Sequence, residues 1–526
     1  MKRKGEHNFK VEIMCFSSGV TGNQILIVIT INQKKYIYMV DCGYDFERSL
    51  EEQGLISKNP DKVLLTHAHT DHIAMLLELC KTFRGDILTS NDTRNLMGPS
   101  LDDTVTIQKG VAKSSGIKQR FSEQNISQVI DQVKTIKFLK RYEIDENIFV
   151  TLIPNSHLPG SACIFLEIVY PNDEHGYKIP PLNFFFTGDL KLKGNPFLED
   201  TVIPEEILEK PVYIITESTY GAEEKRREKV CRQNIKEAIS KGKKVILTAL
   251  SLGRGQELML EIKKMQENGD IPEDIPVYID GKLMFKYINK YNKQLDILVK
   301  DFEPHNASYV NGEKRAQVVS SSKPCIIIAS SGNATFGPSN EYVSKHIENE
   351  NALIHFTSYQ PEGTLGRKLL NLQKGDTINI NGEDRTIKAD IKFTSEYSSH
   401  AEKYEILDFI SNFKDIRGIL VTHGEEDARE SLIKDLKKLM PKTKIVNFNI
   451  DKFIRIDRLA CGNMKEMNSK LSDGRSKKEK KAKDRKKVKT SEKRKGDRKI
   501  ASRLKYSYSK LYWNKKEGNY PSFLFT

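Results

Sequence analysis

Thr66–Ile73 reads THAHTDHI and follows the short apolar run Asp61-Lys-Val-Leu-Leu. This stretch puts His67, His69, Asp71 and His72 within six residues at the expected end of a buried strand. Imidazole nitrogens and carboxylate oxygens are the ligands that suit zinc. His67 and His69 are two apart, so on extended backbone they point the same way. Asp71 and His72 are adjacent and cannot both aim where that pair aims. The geometry suits two neighbouring metals, one on His67 and His69, the other on Asp71 and His72. A lone histidine is more often an ordinary surface or core residue. With only 11 histidines in 526 residues, however, the pattern HxHxDH arises by chance in roughly one such chain in several thousand.

The rest of the chain divides by period. Residues 9–42 alternate apolar runs with turn signals and predict strands at Phe9–Met14, Ile25–Ile31 and Tyr36–Val40, ending at Asp41-Cys-Gly. Helices are expected over Met75–Phe83 and Asn125–Thr135, and strands over Phe149–Ile153, Ala162–Tyr170, Leu182–Thr187 and Val212–Thr216. From about residue 222 strands and helices alternate, beginning with a charged helix over Glu223–Ser240. That rhythm implies a parallel α/β layer inserted into the first domain and closing near 392. Helix Ala401–Phe413, strand Gly418–Thr422, helix Asp427–Leu439 and strand Lys444–Asn447 then resume the first domain. The expected segments are 1–221, the insert 222–392, the resumption 393–460 and a tail from 461.

The tail is set apart by charge. Residues 475–505 hold 17 Lys/Arg against four acids, a net +13, and residues 506–526 add +2. The whole chain carries +14, so the preceding 474 residues sum to −1. Such a composition predicts a largely disordered basic tail acting on a polyanion, either nucleic acid or an acidic membrane, unless it is merely a solvated end. Its last part interleaves Tyr506, Tyr508, Tyr512, Trp513 and Tyr520 with lysines, which suits base stacking or, equally, docking on the body. Seven cysteines without CxxC spacing point to a reducing compartment. No apolar run approaches a membrane span, and no apolar segment follows the basic start as a signal peptide would require.

Four further residues extend the ligand set. His157 stands in Asn155-Ser-His-Leu-Pro-Gly, Asp189 in Phe186-Thr-Gly-Asp-Leu, His400 in Ser398-Ser-His-Ala-Glu and His423 in Val421-Thr-His-Gly-Glu. His157 or Asp189 alone says little; in this order after HxHxDH they are a strong signal.

These motifs resemble the β-CASP branch of the metallo-β-lactamase superfamily, over roughly residues 9–458. The branch includes the endonuclease subunit of the eukaryotic cleavage and polyadenylation factor and related bacterial and archaeal ribonucleases. The resemblance implies an αββα sandwich with an inserted α/β β-CASP cap. It implies two zinc ions per chain: His67, His69 and His157 on the first, Asp71, His72 and His423 on the second, and Asp189 bridging. Glu217, in Thr216-Glu-Ser-Thr-Tyr-Gly, matches the branch's first acidic motif, His400 its second motif and His423 its third. A histidine at the third motif favours RNA over DNA. Asn333-Ala334 departs from the usual Met-Leu of the family.

The expected chemistry is hydrolysis of phosphodiester bonds in single-stranded RNA, with Asp71 among the residues at the reacting centre. Paired zincs would supply an acidified water and clamp phosphate oxygens. His400 would protonate the ribose leaving oxygen, oriented by Glu217. Asp41 either buttresses a ligand or simply forms a strand-end turn. In the cap, Ser331, Gly332, Gly363, Thr364 and Arg367 are expected against substrate phosphates, and Arg254 either there or in an interdomain ion pair. Expected partners are single-stranded RNA, with nucleic acid on the tail, and a homo-oligomer or an RNA-processing complex. The expected location is cytoplasmic, or nuclear in a eukaryote. The rivals are a DNA nuclease of the same branch, disfavoured by His423, and a non-catalytic RNA-binding subunit, disfavoured by the full ligand set. Endonuclease and 5′-exonuclease action stay equally open.

Overall fold

The computed structural model describes residues 9–17, 19–44, 59–115, 118–170, 181–448 and 453–456. The basic tail expected from 461 lies outside the described residues. Two seven-stranded sheets and one six-stranded sheet organise the chain.

The first sheet opens with the antiparallel meander Phe9–Ser17, Gln24–Ile31 and Lys34–Val40, then adds Lys62–Leu64, Asp86–Thr89 and Val133–Thr135 in parallel. The second joins Tyr142–Asp145, Ile148–Pro154, Ala162–Ile168 and Leu182–Phe186 in antiparallel order. It continues in parallel through Pro211–Thr216, Asp415–Val421 and Ile445–Asn447. Apolar residues from both sheets, among them Val11, Ile27, Val150, Ile164, Phe184 and Leu420, share one buried core. Ile13 and Ile27 face each other across paired strands, as period-two alternation requires. Helices Lys403–Ser411 and Glu426–Leu439 cover the outer face of the second sheet. This is the expected αββα layering.

The third sheet, the cap, is parallel throughout. Its order is Ala307–Val310, Val277–Asp280, Ile326–Ala329, Lys244–Thr248, Ala352–Phe356 and Asp390–Phe393. Strands such as Ile326–Ala329 are buried along their whole length, which explains their unbroken apolar runs. The last cap strand, Asp390–Phe393, straddles the boundary expected at 392.

Several expected elements change. The charged helix expected from Glu223 begins only at Cys231. The backbone N–H groups of Arg227, Val230 and Cys231 are taken instead by the carboxylates of Glu402 and Glu396, a tertiary override of helix propensity. Met75–Phe83 contains only the single turn Leu76–Leu79. Asn125–Thr135 divides into helix Glu123–Asp131 and edge strand Val133–Thr135. A 25-residue helix, Asn91–Ser115, was not foreseen; Gly98-Pro99 interrupts its pattern, although Leu96, Met97, Leu101 and Val105 bury one face. The hairpin Thr377–Ile380/Glu383–Thr386 was also missed. Asn381 and Gly382 turn it with φ of 53° and 83°, the Asn-Gly turn that hairpins favour.

Candidate active site

Each ligand-type residue sits just past the end of a strand, and those strand ends gather at one end of the sandwich. Lys62–Leu64 delivers the THAHTDHI loop, Ile148–Pro154 delivers His157, and Leu182–Phe186 delivers Asp189. The parallel neighbours Pro211–Thr216 and Asp415–Val421 deliver Glu217 and His423 in register, with Thr216 opposite Val421. Gly188 lets two of these loops meet. Its φ is 56°, and a Cβ there would stand 2.9 Å from the Thr66 side chain. His423 itself adopts φ 49°, a conformation uncommon for a residue with a side chain, while Ser218 N–H donates to its carbonyl at 2.9 Å.

Two ligand groups result. His67 Nε2 and His157 Nε2 lie 3.1 and 3.2 Å from His69 Nδ1. Asp189 Oδ2 stands 3.5 Å from His67 Nε2 and 3.7 Å from His157 Nε2. The other Asp189 oxygen, Oδ1, lies 3.3 Å from His72 Nε2 and 3.0 Å from His423 Nε2, and Asp71 Oδ2 is 3.7 Å from His72 Nε2. Two ligand atoms about 2.0–2.1 Å from a tetrahedral zinc stand roughly 3.3–3.4 Å apart, so both groups have the spacing of a metal site. His69 Nε2, His72 Nε2, His423 Nδ1 and Asp189 Oδ1 are buried without a hydrogen-bond partner among the described residues. Two of these, His72 Nε2 and Asp189 Oδ1, face the second group, and a cation there would satisfy them.

The surrounding hydrogen bonds fix which imidazole nitrogen carries the lone pair. His72 Nδ1 donates to Asp41 Oδ2 at 2.7 Å, leaving Nε2 for the cluster. Thr66 gives its hydroxyl hydrogen to Asp41 Oδ2 at 2.7 Å. Its oxygen can then only accept, at 3.0 Å, from His67 Nδ1–H, and His67 Nε2 is left bare. His157 Nδ1 donates to the Ser399 carbonyl at 2.6 Å. Asn155 accepts from His157 N–H and donates to the Asp189 carbonyl, tying the two ligand loops together. Asp41 is therefore more than a turn residue. It is fully buried and accepts from Asn23, Thr66 and His72, the carboxylate–histidine support typical of metal ligands.

The electrostatics suit the same purpose. Burial drives His67 and His157 well below the usual histidine range, with neighbouring imidazoles adding to the effect. Burial lowers His69 to about 4. All three are thus neutral, the form that binds metal. Burial also opposes charge on His72, but Asp189, Asp41 and Asp71 overcome it and hold this imidazole well above its ordinary value. Burial would raise Asp189, yet the imidazoles of His423, His72, His400 and His67 keep it well below the carboxylate range. A cation in this place takes over the charge that the carboxylates otherwise satisfy with a proton.

His400 stands beside both groups. Its Nδ1 faces the two Glu217 oxygens at 3.0 and 2.9 Å, and its Nε2 lies 3.8 Å from Asp189 Oδ2. Burial disfavours its charge, but Glu217 and Asp189 raise it above the ordinary histidine value. Glu217 is held in turn by Leu190 N–H at 2.5 Å.

The structure also brings the cap residues together. Asn333 C=O accepts from Gly366 N–H at 3.0 Å, and Thr335 Oγ1 from Leu365 N–H at 3.0 Å, which ties the loop after Gly332 to the Gly363–Arg367 loop. Ser331 and Gly332 are themselves buried, while Gly363 is exposed and Thr364 and Arg367 are partly so. Thr364 also caps its own short helix, accepting from Arg367 N–H, and Ser331 Oγ donates to Phe336 C=O. The Arg367 guanidinium lies over Tyr359, which packs on Tyr220, which packs on His400. Arg254 is different. It is buried, with its guanidinium on Glu257 and the carbonyls of Thr357 and Tyr397. Burial and these three bonds favour the ion-pair alternative for Arg254 over the phosphate one. Asn23, Lys191 and Arg227 carry no motif signal, and sequence reasoning missed them; Thr66 and Asn155 lie inside the quoted motifs, but their supporting hydrogen bonds are not legible there.

Facing sheets with ligand loops at one end are the architecture of the metallo-β-lactamase fold. Three family models match in succession: the metallo-β-lactamase superfamily over residues 18–173, the Beta-Casp domain over 255–369, and a Zn-dependent metallo-hydrolase RNA specificity domain over 384–447. The chain belongs to the β-CASP branch of the metallo-β-lactamase superfamily. It is similar to the transcription termination factor FttA of Thermococcus kodakarensis, 30% identical over 406 residues, which cover 72% of this chain and 59% of that protein. It is likewise 29% identical to the FttA of Methanocaldococcus jannaschii over 419 residues, 74% of this chain and 62% of that one. An RNase J-like protein of the same organism is 28% identical over 418 residues, 76% of this chain and 89% of its own length. The chain spans about six-tenths of the length of the termination factors it matches. Among the described residues no helix is long and apolar enough to cross a membrane.

Proposed function

We propose that the protein is a zinc-dependent ribonuclease that hydrolyses phosphodiester bonds of single-stranded RNA, with two metals per chain. The observation that carries this reading is the Asp189 carboxylate, one oxygen in each ligand group, with the His400–Glu217 pair alongside. His67, His69 and His157 would hold one zinc, and Asp71, His72 and His423 the other. Zinc so held supplies Lewis acidity, acidifying water and offsetting phosphate charge.

The chain's own residues do the rest. His400 Nε2 faces the reacting centre and gives its proton to the departing ribose oxygen; Glu217 holds Nδ1–H and stabilises the charged ring. Water supplies the hydroxyl that phosphorus gains, so the products are a phosphomonoester and an alcohol. The cap loops that carry Ser331, Gly332, Gly363, Thr364 and Arg367 would take neighbouring phosphates, through the exposed Gly363 and the half-buried Thr364 and Arg367. RNA as substrate is supported by the RNA specificity model that spans His400 and His423, and by a relative named RNase J-like. The test is digestion of RNA labelled at either end, as 5′-monophosphate or 5′-hydroxyl, beside single-stranded DNA of the same sequence. Zinc-dependent cleavage of RNA alone is expected, and product lengths separate endonuclease from exonuclease. Equal cleavage of DNA overturns the RNA assignment.

A further inference from the structure

The segment carrying His400 is held by an unbroken row of donors. Tyr397 C=O accepts from the Arg254 guanidinium, and Ser398 C=O from Lys191 Nζ at 2.8 Å. Ser399 C=O accepts from His157 Nδ1 at 2.6 Å, and His400 C=O from Arg227 Nη1 at 2.8 Å. Four consecutive carbonyls thus meet three cations and an imidazole from four separate places in the chain. Lys191 and Arg254 are themselves buried. Arg227 is nearly so, its guanidinium stacked 4.2 Å above the Tyr220 ring.

A buried cation is costly unless its partners are fixed and complementary. Holding an irregular loop with three of them is a large outlay for packing alone. Arg254 has a further property. It begins the cap helix Arg254–Glu267, and its other guanidinium nitrogen holds Thr357 C=O, just past the cap strand Ala352–Phe356. One planar side chain therefore bridges the cap and the His400 segment, a geometry that lysine cannot reproduce.

We propose that Arg254 and Arg227 are positioning residues for His400, and that Arg254 sets the place of this imidazole relative to the cap that carries the RNA. The inference rests on the proposed role of His400 as proton donor. Neither arginine touches the reacting atoms; each acts through the backbone of residues 397–400. A displacement of about 1 Å at a catalytic group costs on the order of 100-fold in rate, so loss of either should be felt at the proton transfer.

The test compares two substrates in the full-length zinc-loaded protein. RNA has a poor alkoxide leaving group and needs the proton. Bis(4-nitrophenyl) phosphate has a good leaving group and does not. Arg254→Ala, Arg254→Lys and Arg227→Ala should each lower the ratio of RNA turnover to diester turnover by roughly 10–100-fold, with KM for RNA and zinc content unchanged. Free guanidinium ion should restore part of the Arg254→Ala loss. Arg254→Lys and Arg227→Ala keep the question answerable if Arg254→Ala does not fold. His400→Ala is the reference. If it loses the ratio while the folded arginine variants lose both activities equally, or neither, the positioning role is overturned and the acid stands. If His400→Ala itself loses both equally, the acid assignment fails and this inference with it.

Discussion

His400 turns Nδ1 to both carboxylate oxygens of Glu217, at 2.9 and 3.0 Å, which leaves Nε2 as the nitrogen that faces the centre. The pair separates the work of this histidine from that of the metal-type ligands. His67 and His157 spend Nδ1 on Thr66 and Ser399 and turn Nε2 to the cluster. His72 and His400 both spend Nδ1 on a carboxylate, Asp41 and Glu217, but His72 belongs to a ligand group and His400 to neither.

His400→Ala should therefore leave zinc content at the wild-type value while lowering RNA turnover by roughly 10²–10⁴-fold, the range of general acid catalysis. Elemental analysis beside single-turnover cleavage decides the point. Stoichiometric loss of zinc would make His400 a ligand instead.

Asp189→Ala removes the one carboxylate common to both groups. Zinc should fall at both sites and RNA cleavage should fall with it. A variant that retains two zincs would show that the carboxylate does not bridge.

Asp41→Ala takes away the acceptor of His72 Nδ1 and of Thr66. By the usual cost of losing such support, zinc affinity should fall about 10–100-fold. Competition with a chelator measures this, and excess zinc should recover most of the cleavage. Unchanged affinity would reduce Asp41 to a turn residue.

His355 and His346 lie buried in the cap, where burial lowers both to about 4; Lys244 contributes for His346. The unfolded chain takes up protons near the ordinary value of 6.5, so it binds more protons than the fold between those limits. Stability should be full above about pH 6.5, decline as pH falls toward about 4 and level off below, by at most roughly 3 kcal/mol per histidine. Urea unfolding midpoints for wild type and His355→Gln across that window test it. The variant should give the shallower slope, and parallel curves would refute the assignment.

Deleting residues 475–526 should weaken RNA binding far more than it slows turnover at saturating RNA, because the remaining chain is close to neutral. Each phosphate neutralised on a single strand adds about −0.7 to the slope of log affinity against log salt. If a third of the deleted cations engage, the full-length slope should be steeper by roughly four to five. Identical slopes would mean that the tail does not touch RNA.

The sequence determined the ligand chemistry and its order along the chain. HxHxDH, His157, Asp189 and His423 are short motifs at strand ends and His400 stands just before a helix, and both residue type and periodicity are local properties. The paired sheets and the parallel cap were legible for the same reason: alternation and unbroken apolar runs report which faces are buried. Tertiary structure alone decided what each motif does with its neighbours. Glu217 and His400 are 183 residues apart, and no local pattern states that their side chains meet. The sequence left Asp41 between support and turn, and left Arg254 between phosphate and ion pair. Asp41 became a support because Thr66 and His72 arrive at its oxygens. Arg254 became an internal bridge because the carbonyls of Thr357, just past a cap strand, and of Tyr397, in the His400 segment, converge on one guanidinium. In the Glu223–Val230 segment the N–H groups of Arg227 and Val230 are taken by Glu402 and Glu396, far along the chain, and the helix begins only at Cys231. Hydrogen-bond partners distant in sequence are set by packing, and packing is a property of the whole fold.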